Sequence, residues 1–311
     1  MGAAVRGADS GRAGALGAEP SRGPGSKQAE VVAADFLDFE FPLEACHAGM
    51  RVYFPTMKIP RLTRRRFFGA LLVSAPVLAA DAFGLYPGWV ITKTIRIGSG
   101  PKTHRFVHFT DLHFKGDAKY LRSVITKINA LQPDFVCFTG DIIEQEKHLA
   151  EALKILQEIK TPLYGIPGNH DHWSGVDFAP IAVAFQATGG AWLENRQVLT
   201  KDGRVNLMGL DSLPTTIQPL PDTKNILLLH YPKWVEKIRM TGIDLILAGH
   251  SHGGQVRIPF YGAVITPYDT GRYEKGQFQT PAGPLYVNPG IGTFFIPIRF
   301  NCRPELTLFE I

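Results

Sequence analysis

The sequence predicts an α/β protein in which a second sheet follows the first, and three observations predict it. Apolar runs of strand length recur from about residue 90 onward. The early gaps between them carry apolar residues at helical spacing. The later runs follow one another with less helix between them, which calls for a second sheet rather than one simple parallel sheet.

In order, the strand-length runs are "RFVHF" (105–109), "DFVCFTG" (134–140), "PLYGIPG" (162–168), "RVNLMGL" (204–210), "NILLLH" (225–230), "DLILAGH" (244–250), "GPLYVNPG" (283–290) and "ELTLFEI" (305–311). Two helices are predicted between the early ones. In 118–132, Leu121, Val124, Ile125, Ile128 and Leu131 follow 3–4 spacing. In 146–160, Leu149, Leu153, Leu156 and Ile159 do the same. No internal repeat is visible.

With 311 residues, 45% hydrophobic and 20% charged, the chain has the means to bury a sizeable core. Its net charge of +5 is uneven: residues 1–66 carry 10 Lys/Arg against 7 Asp/Glu, and the remainder 23 against 21. The globular part is nearly neutral and lacks a basic cluster, so no nucleic-acid partner is expected. Three cysteines, Cys46, Cys137 and Cys302, form no CxxC pair. That excludes a disulfide framework and a thiolate zinc site, and Cys137 reads as a small core residue.

Residues 1–30 are Gly/Ala/Ser/Arg-rich without apolar periodicity, and 1–60 is assigned as a disordered N-terminal extension. Residues 61–85 read as a twin-arginine-type signal or membrane anchor. "TRRRFF" (63–68) has the twin-arginine pattern, an Ala-rich apolar run follows, and "ADA" (80–82) is a small-residue exit. Pro76 and Asp81 interrupt the run, which makes a bilayer span of ~20 residues marginal. The expected partners are a membrane surface and the twin-arginine translocase, with the catalytic part exported, or on the cytoplasmic face if the segment is an uncleaved anchor. A signal after sixty residues points to a true start at Met57 or Met50, so peptides from 1–49 should be missing from the native product. Residues 90–311 are the expected catalytic domain.

Five polar clusters stand at the C-terminal ends of apolar runs. They are Asp111 and His113 in "FTDLHF", Asp141 in "TGD", Asn169, His170 and Asp171 in "PGNHD", His230 in "LLLHYP", and His250 and His252 in "AGHSHGG". In an α/β fold such ends converge on one edge of the sheet. Gly140, Gly168, Gly249, Gly253 and Gly254 flank them and allow sharp turns. Two Asp, one Asn and four His, leaving His170 aside, offer oxygen and imidazole donors without sulfur. Seven donors are too many for one ion with an open position. They suit a pair of ions roughly 3.5–4 Å apart clamping a phosphoryl group.

This order, Asp-x-His, Gly-Asp, Gly-Asn-His-Asp, His, Gly-His-x-His, resembles the calcineurin-like metallophosphoesterase family over residues 103–311. The resemblance implies a four-layer αββα sandwich: two packed mixed sheets flanked by helices, with a dinuclear site between the sheets. It implies that one ion takes Asp111, His113, Asp141 and His252, and that the other takes Asp141 as bridge with Asn169, His230 and His250. His170 is then the residue that protonates or stabilises the leaving oxygen, oriented by Asp171. The implied cofactors are two divalent ions, Mn foremost, with Fe, Zn or Mg as alternatives. The implied reaction is phosphodiester or pyrophosphate hydrolysis by a metal-bridged hydroxide.

"GHSHGGQVRIPFYGAVITP" and the 285–311 tail are similar to a bacterial membrane-associated branch related to UDP-2,3-diacylglucosamine pyrophosphatases of lipid A synthesis. That similarity implies a lipid-linked substrate. The apolar segment after His252 reads as a lip for an acylated phosphate ester, with Arg257 or Arg272 meeting phosphate oxygens. The alternatives are a phosphoprotein phosphatase and a nucleotide or nucleic-acid phosphodiesterase; a non-catalytic scaffold is disfavoured because every signature position is present. His104, His108, His148 and His172 lie off the signature. Between the clusters only 171–229 could host a cap, and it is short.

Overall fold

The computed structural model describes Thr63, residues 81–85 and residues 87–311. The extension assigned to 1–60 and nearly all of the signal or anchor assigned to 61–85 lie outside the described residues. Among the described residues no helix is long and apolar enough to cross a membrane.

A short π-helical turn, Asp81–Leu85, leads into the fold. In chain order the elements are β1 (Ile91–Arg96), β2 (Arg105–Phe109), α1 (Ala118–Ala130), β3 (Phe135–Thr139), α2 (Leu149–Leu156), β4 (Leu163–Ile166), α3 (Asn169–Trp173), α4 (Ala179–Ala187), β5 (Ala191–Trp192), β6 (Gln197–Leu199), β7 (Val205–Leu210), β8 (Lys224–Leu229), β9 (Leu245–Ala248), β10 (Arg257–Ile258), β11 (Gly262–Ala263), β12 (Gly276–Thr280), β13 (Gly283–Val287) and β14 (Glu305–Glu310).

Two six-stranded sheets result, in the orders β1-β14-β2-β3-β4-β5 and β12-β13-β9-β8-β7-β6, with β10 and β11 forming a separate ribbon. Both sheets are mixed. In the first, β2 to β5 run parallel and β14 opposes β2. In the second, β13, β9, β8 and β7 run parallel, with β12 and β6 antiparallel at the edges.

The central strands are apolar on both faces because both faces are covered. On β3, Phe135 and Cys137 face the layer between the sheets, while Val136 and Phe138 face the helices. On β8, Ile226 and Leu228 join the same inter-sheet core, and Leu227 and Leu229 point to the outer side. Helices α1, α2 and α4 cover the outside of the first sheet. The second sheet has a thinner cover, including Val235 from a 3₁₀ turn at Pro232–Glu236, together with Ile217, Ile238 and Tyr273.

Helix α1 begins where the Asp117 side chain accepts the Tyr120 N–H at 2.9 Å. It buries Leu121, Val124, Ile125 and Ile128, the predicted stripe. Helix α2 stops at Leu156, short of the predicted end at 160, yet Ile159 stays buried. Strands β1 and β12 carry no apolar run, because each lies at a sheet edge and leaves alternate side chains in water. Helix α4 shows no clean stripe: its exposed face carries Val183. The 171–229 stretch is taken up by α3, α4 and β5–β8, so it builds the sandwich instead of a cap.

Candidate metal centre

Strands β2, β3, β4, β8 and β9 all end at the same edge, and each delivers its polar cluster there. The strands are parallel within each sheet, so their C-terminal ends share one side. Every predicted ligand is buried: Asp111, His113, Asp141, Asn169, His230, His250 and His252.

The backbone that presents them is left-handed at the ligands themselves. Asp111 (φ 52°), His113 (43°), Asp141 (65°), His250 (65°) and His252 (50°) all have positive φ. Such conformations cost of order 1–3 kcal/mol for a non-glycine residue and persist where the surroundings over-determine them. Two of the glycines serve closeness instead of turning. A Cβ on Gly249 would lie 2.6 Å from Asp111 Oδ2, and one on Gly168 would collide with the Asp141 carboxylate.

The Asp141 carboxylate is the centre of the cluster. Its Oδ1 accepts the His170 backbone N–H at 2.8 Å. Its Oδ2 lies 3.4 Å from His113 Nε2 and 3.3 Å from His230 Nε2. On one side, His113 Nε2 faces His252 Nε2 at 2.9 Å, and Asp111 Oδ1 is 3.6 Å from His252 Nε2. On the other, Asn169 Oδ1 is 2.9 Å and His250 Nδ1 3.2 Å from His230 Nε2. Two donor groups therefore share one oxygen of Asp141.

Tautomers are set from outside the cluster. His230 Nδ1 donates to the Thr139 carbonyl at 2.7 Å and His250 Nε2 to the Tyr268 carbonyl at 2.5 Å. Each turns its other nitrogen inward, the usual arrangement of a ligating histidine once that nitrogen has lost its proton. Four imidazoles aiming nitrogens at one another and at carboxylates in a buried space need a cation between them. The residues present fit divalent ions of the hard or borderline kind.

Electrostatics agree. Burial pushes the Asp111 carboxyl up to about 6. Burial also opposes ionisation of Asp141, but His230 and His113 beside it hold it well below the ordinary carboxylate range. Burial favours neutral His230, yet the Asp141 charge outweighs it and raises that imidazole to about 9. His250 is lowered to about 3 by burial and by the neighbouring His230, and His252 is lowered by burial and His113.

His170 is half-buried beside the cluster. Its partner corrects one expectation. Asp171 does not orient it: the Asp171 carboxylate is saturated by the backbone N–H groups of Asp141, Ile142 and Gly168 at 2.8–2.9 Å. Burial and the Asp141 charge push Asp171 up to about 6, still ionised at neutral pH. Asp171 is thus a brace for the Gly140–Ile142 and Gly168 turns. Glu144 takes the orienting place, with Oε2 3.1 Å from His170 Nδ1 and Oε1 2.8 Å from His113 Nδ1. The contact to His113 has the distance of an ion pair without the alignment of a hydrogen bond. Burial works against a charged His170, but Glu144 and Asp141 raise its pKa overall. Phe294 and Trp173 close over the same imidazole, with ring centres 5.5 Å and 5.0 Å away.

The two arginines expected to meet phosphate are engaged elsewhere. Arg257 pairs with Glu274 at 2.9 Å and donates to the Gly253 carbonyl, and Arg272 lies over the Tyr273 ring. No described hydrogen bond or ion pair joins either to the ligands. His104, His108 and His172 pair with Asp202, Thr139 and Asp211, and His148 packs on Phe114, all off the cluster.

Residues 104–254 match the family described as calcineurin-like phosphoesterase. The chain is 33% identical to the uncharacterized metallophosphoesterase YkuE of Bacillus subtilis, over 81% of this chain and 98% of that one. It is 29% identical to the phosphodiesterase YaeI of Escherichia coli, over 80% and 99%. A solved structure, TT1561 of Thermus thermophilus, aligns with 12% identity and a TM-score of 0.40 over 60% of this chain and 90% of that one.

Proposed function

The chain belongs to the calcineurin-like phosphoesterase family, and from that premise we propose that it hydrolyses phosphodiester or pyrophosphate bonds at a two-metal centre bridged by Asp141. It is a metallophosphoesterase, a hydrolase of phosphoric esters. The observation that carries the two-metal reading is the shared Asp141 oxygen, set between His113 and His230 at nearly equal distances.

Asp111, His113, His252 and Asp141 would hold one divalent ion; Asp141, Asn169, His230 and His250 the other. Such ions supply Lewis-acid charge and a water of lowered pKa, with Mn²⁺ the first choice. The remaining steps belong to the chain. His170, whose pKa is raised by Glu144 and Asp141 against burial, donates its Nε2 proton to the departing oxygen. Phe294 and Trp173 pack beside the same ring.

The finer reading is a lipid-linked substrate of the UDP-2,3-diacylglucosamine kind, in keeping with the apolar surroundings of His252. Export by a twin-arginine route is the matching proposal for location. Exchange of Arg64 and Arg65 for Lys should then keep the protein in the cytoplasm, and unchanged export would refute it. The substrate is tested by a side-by-side assay of UDP-2,3-diacylglucosamine, a phospholipid, a phosphopeptide and single-stranded DNA with Mn²⁺ present. Faster cleavage of the phosphopeptide or DNA than of both lipids would overturn the lipid reading.

A further inference from the structure

Past the last ligand, two loops rise beside the metal centre with their apolar side chains in water. The first is the β10–β11 ribbon and its extension. Phe260 at its tip is fully exposed, Tyr261 beside it is 74% exposed, and Ile265 follows at 77%. The second is the 293–298 loop, with Phe295 85% exposed and Ile296 half exposed. Between them lies a cleft of about 400 Å³, walled by His252 and Phe294 on the inside and by Val256, Ile265 and Ile296 toward the rim. Scattered exposed hydrophobics need no explanation, but a contiguous patch around a cleft does.

Phe260 and Phe295 share a second property. Each sits at a loop tip with positive φ, 66° and 57°. That conformation ordinarily goes to Gly, Asn or Asp, and a bulky residue there is an outlier. Both loops thus spend backbone strain to hold a phenyl ring out in solvent, where neither fold nor solubility gains from it.

The lip carries little uncompensated negative charge: Glu274, which accepts the Ala263 N–H, is paired with Arg257 at 2.9 Å. No Asp or Glu occurs from Ser251 to Tyr268, nor from Ile291 to Pro304. The chain enters the fold at this same place. The Ala82 carbonyl accepts the Arg299 N–H at 3.0 Å, and Arg299 is four residues from Phe295, about 14 Å of chain at most. Ahead of Ala82 the sequence runs "FFGALLVSAPVLAA" (67–80) without a charged residue. Trp89, half exposed under the Arg303 guanidinium, adds an aromatic near this entry.

We propose that this lip docks on a phospholipid bilayer, with Phe260 and Phe295 inserted at the interface and the cleft opening toward the lipid phase. Exposed aromatic rings suit the interfacial zone of a membrane, and the carboxylate bound to the ribbon, Glu274, is neutralised by Arg257. The docking itself needs only the surface. That the cleft receives the apolar part of a substrate drawn from the membrane rests on the lipid-linked reading above.

The test uses the full-length chain with Cys46→Ser, since Cys137 and Cys302 are buried and would not label. An environment-sensitive fluorophore is attached at Tyr261→Cys, and in a control at Lys201→Cys, an exposed turn before β7 at the other end of the strands. Mixed phosphatidylcholine and phosphatidylglycerol vesicles brominated in the acyl chains should quench the probe at 261 and not the one at 201. Adding Phe260→Asp should weaken that quenching by ~10-fold or more in vesicle titration. The same variant should still hydrolyse soluble bis(p-nitrophenyl) phosphate at the parent rate. Absent quenching at 261, equal quenching at both sites, or quenching indifferent to Phe260→Asp would each overturn the proposal. A probe that responds to protein concentration instead of vesicles would also overturn it, by showing a second copy on the lip. A parent protein that docks but leaves the soluble diester intact would overturn the hydrolase reading and leave the docking in place.

Discussion

Glu144 and His170 form a carboxylate–imidazole pair, Oε2 to Nδ1 at 3.1 Å, and the other oxygen of the same carboxylate touches His113. One side chain therefore fixes both a proposed metal ligand, His113, and the proposed proton donor. Glu144→Gln keeps the size and removes the charge. It should lower kcat/KM by about 10–100-fold, the usual cost of losing such a support. It should also move the alkaline limb of the pH–rate profile to lower pH, because the His170 pKa falls without its partner. An unshifted limb would show that Glu144 acts on structure alone.

His170→Ala should separate binding from chemistry. Metal content by elemental analysis should stay at the parent value, while the rate falls by ~10²–10⁴-fold. Loss of metal in this variant would place His170 among the ligands, where its nearness to His113 and Asp141 also allows it to sit.

Asp141→Asn removes the charge that both donor groups share. Bound divalent metal and hydrolysis of bis(p-nitrophenyl) phosphate should both be lost. A variant that keeps two ions and parent activity would rule out the bridge.

Metal uptake should depend on pH in a defined direction. In the metal-free site His230 is raised to about 9, so at neutral pH it carries a proton that must leave before Nε2 can bind metal. Apparent affinity should therefore rise with pH, roughly tenfold per unit, and level off above about 9. The slope should steepen below about 6, where Asp111 also takes up a proton. Calorimetric titration in buffers of different ionisation enthalpy reads the released proton directly. A flat profile between neutral pH and about 9 would contradict the His230–Asp141 coupling.

The convergence of the candidate ligands was legible because each residue closes an apolar run, and the end of a parallel strand is fixed in space by the strand itself. The orientation of His170 was not. Asp171 is its sequence neighbour, but consecutive residues on a helical turn do not face each other, and the Asp171 carboxylate is turned into backbone N–H groups of two turns. Glu144 reaches His170 because the chain after β3 runs on beside His113 and Phe114, bridged in parallel at Phe114 and Ile143. The "GDIIE" spacing, three residues past the bridge, was the available signal. Arg257 was misread for a similar reason: its counter-ion, Glu274, comes from beyond the ribbon. The α/β class with a second sheet followed from apolar runs and the layered sandwich from the family resemblance, whereas the edge strands β1 and β12, half in water, left no such trace.

Strand β14 lies between β1 and β2, although nearly the whole of both sheets separates it from them in the chain. While a ribosome is still adding residues before 305, β1 has no partner and β2 has a bare outer edge. The first sheet cannot close until Glu305–Glu310 has been made, however far the helices have advanced. Until that strand emerges, the edge is open to any other extended chain nearby, so the nascent protein has most need of a chaperone in that interval. A truncation that removed Glu305–Glu310 would cost an interior strand of the first sheet.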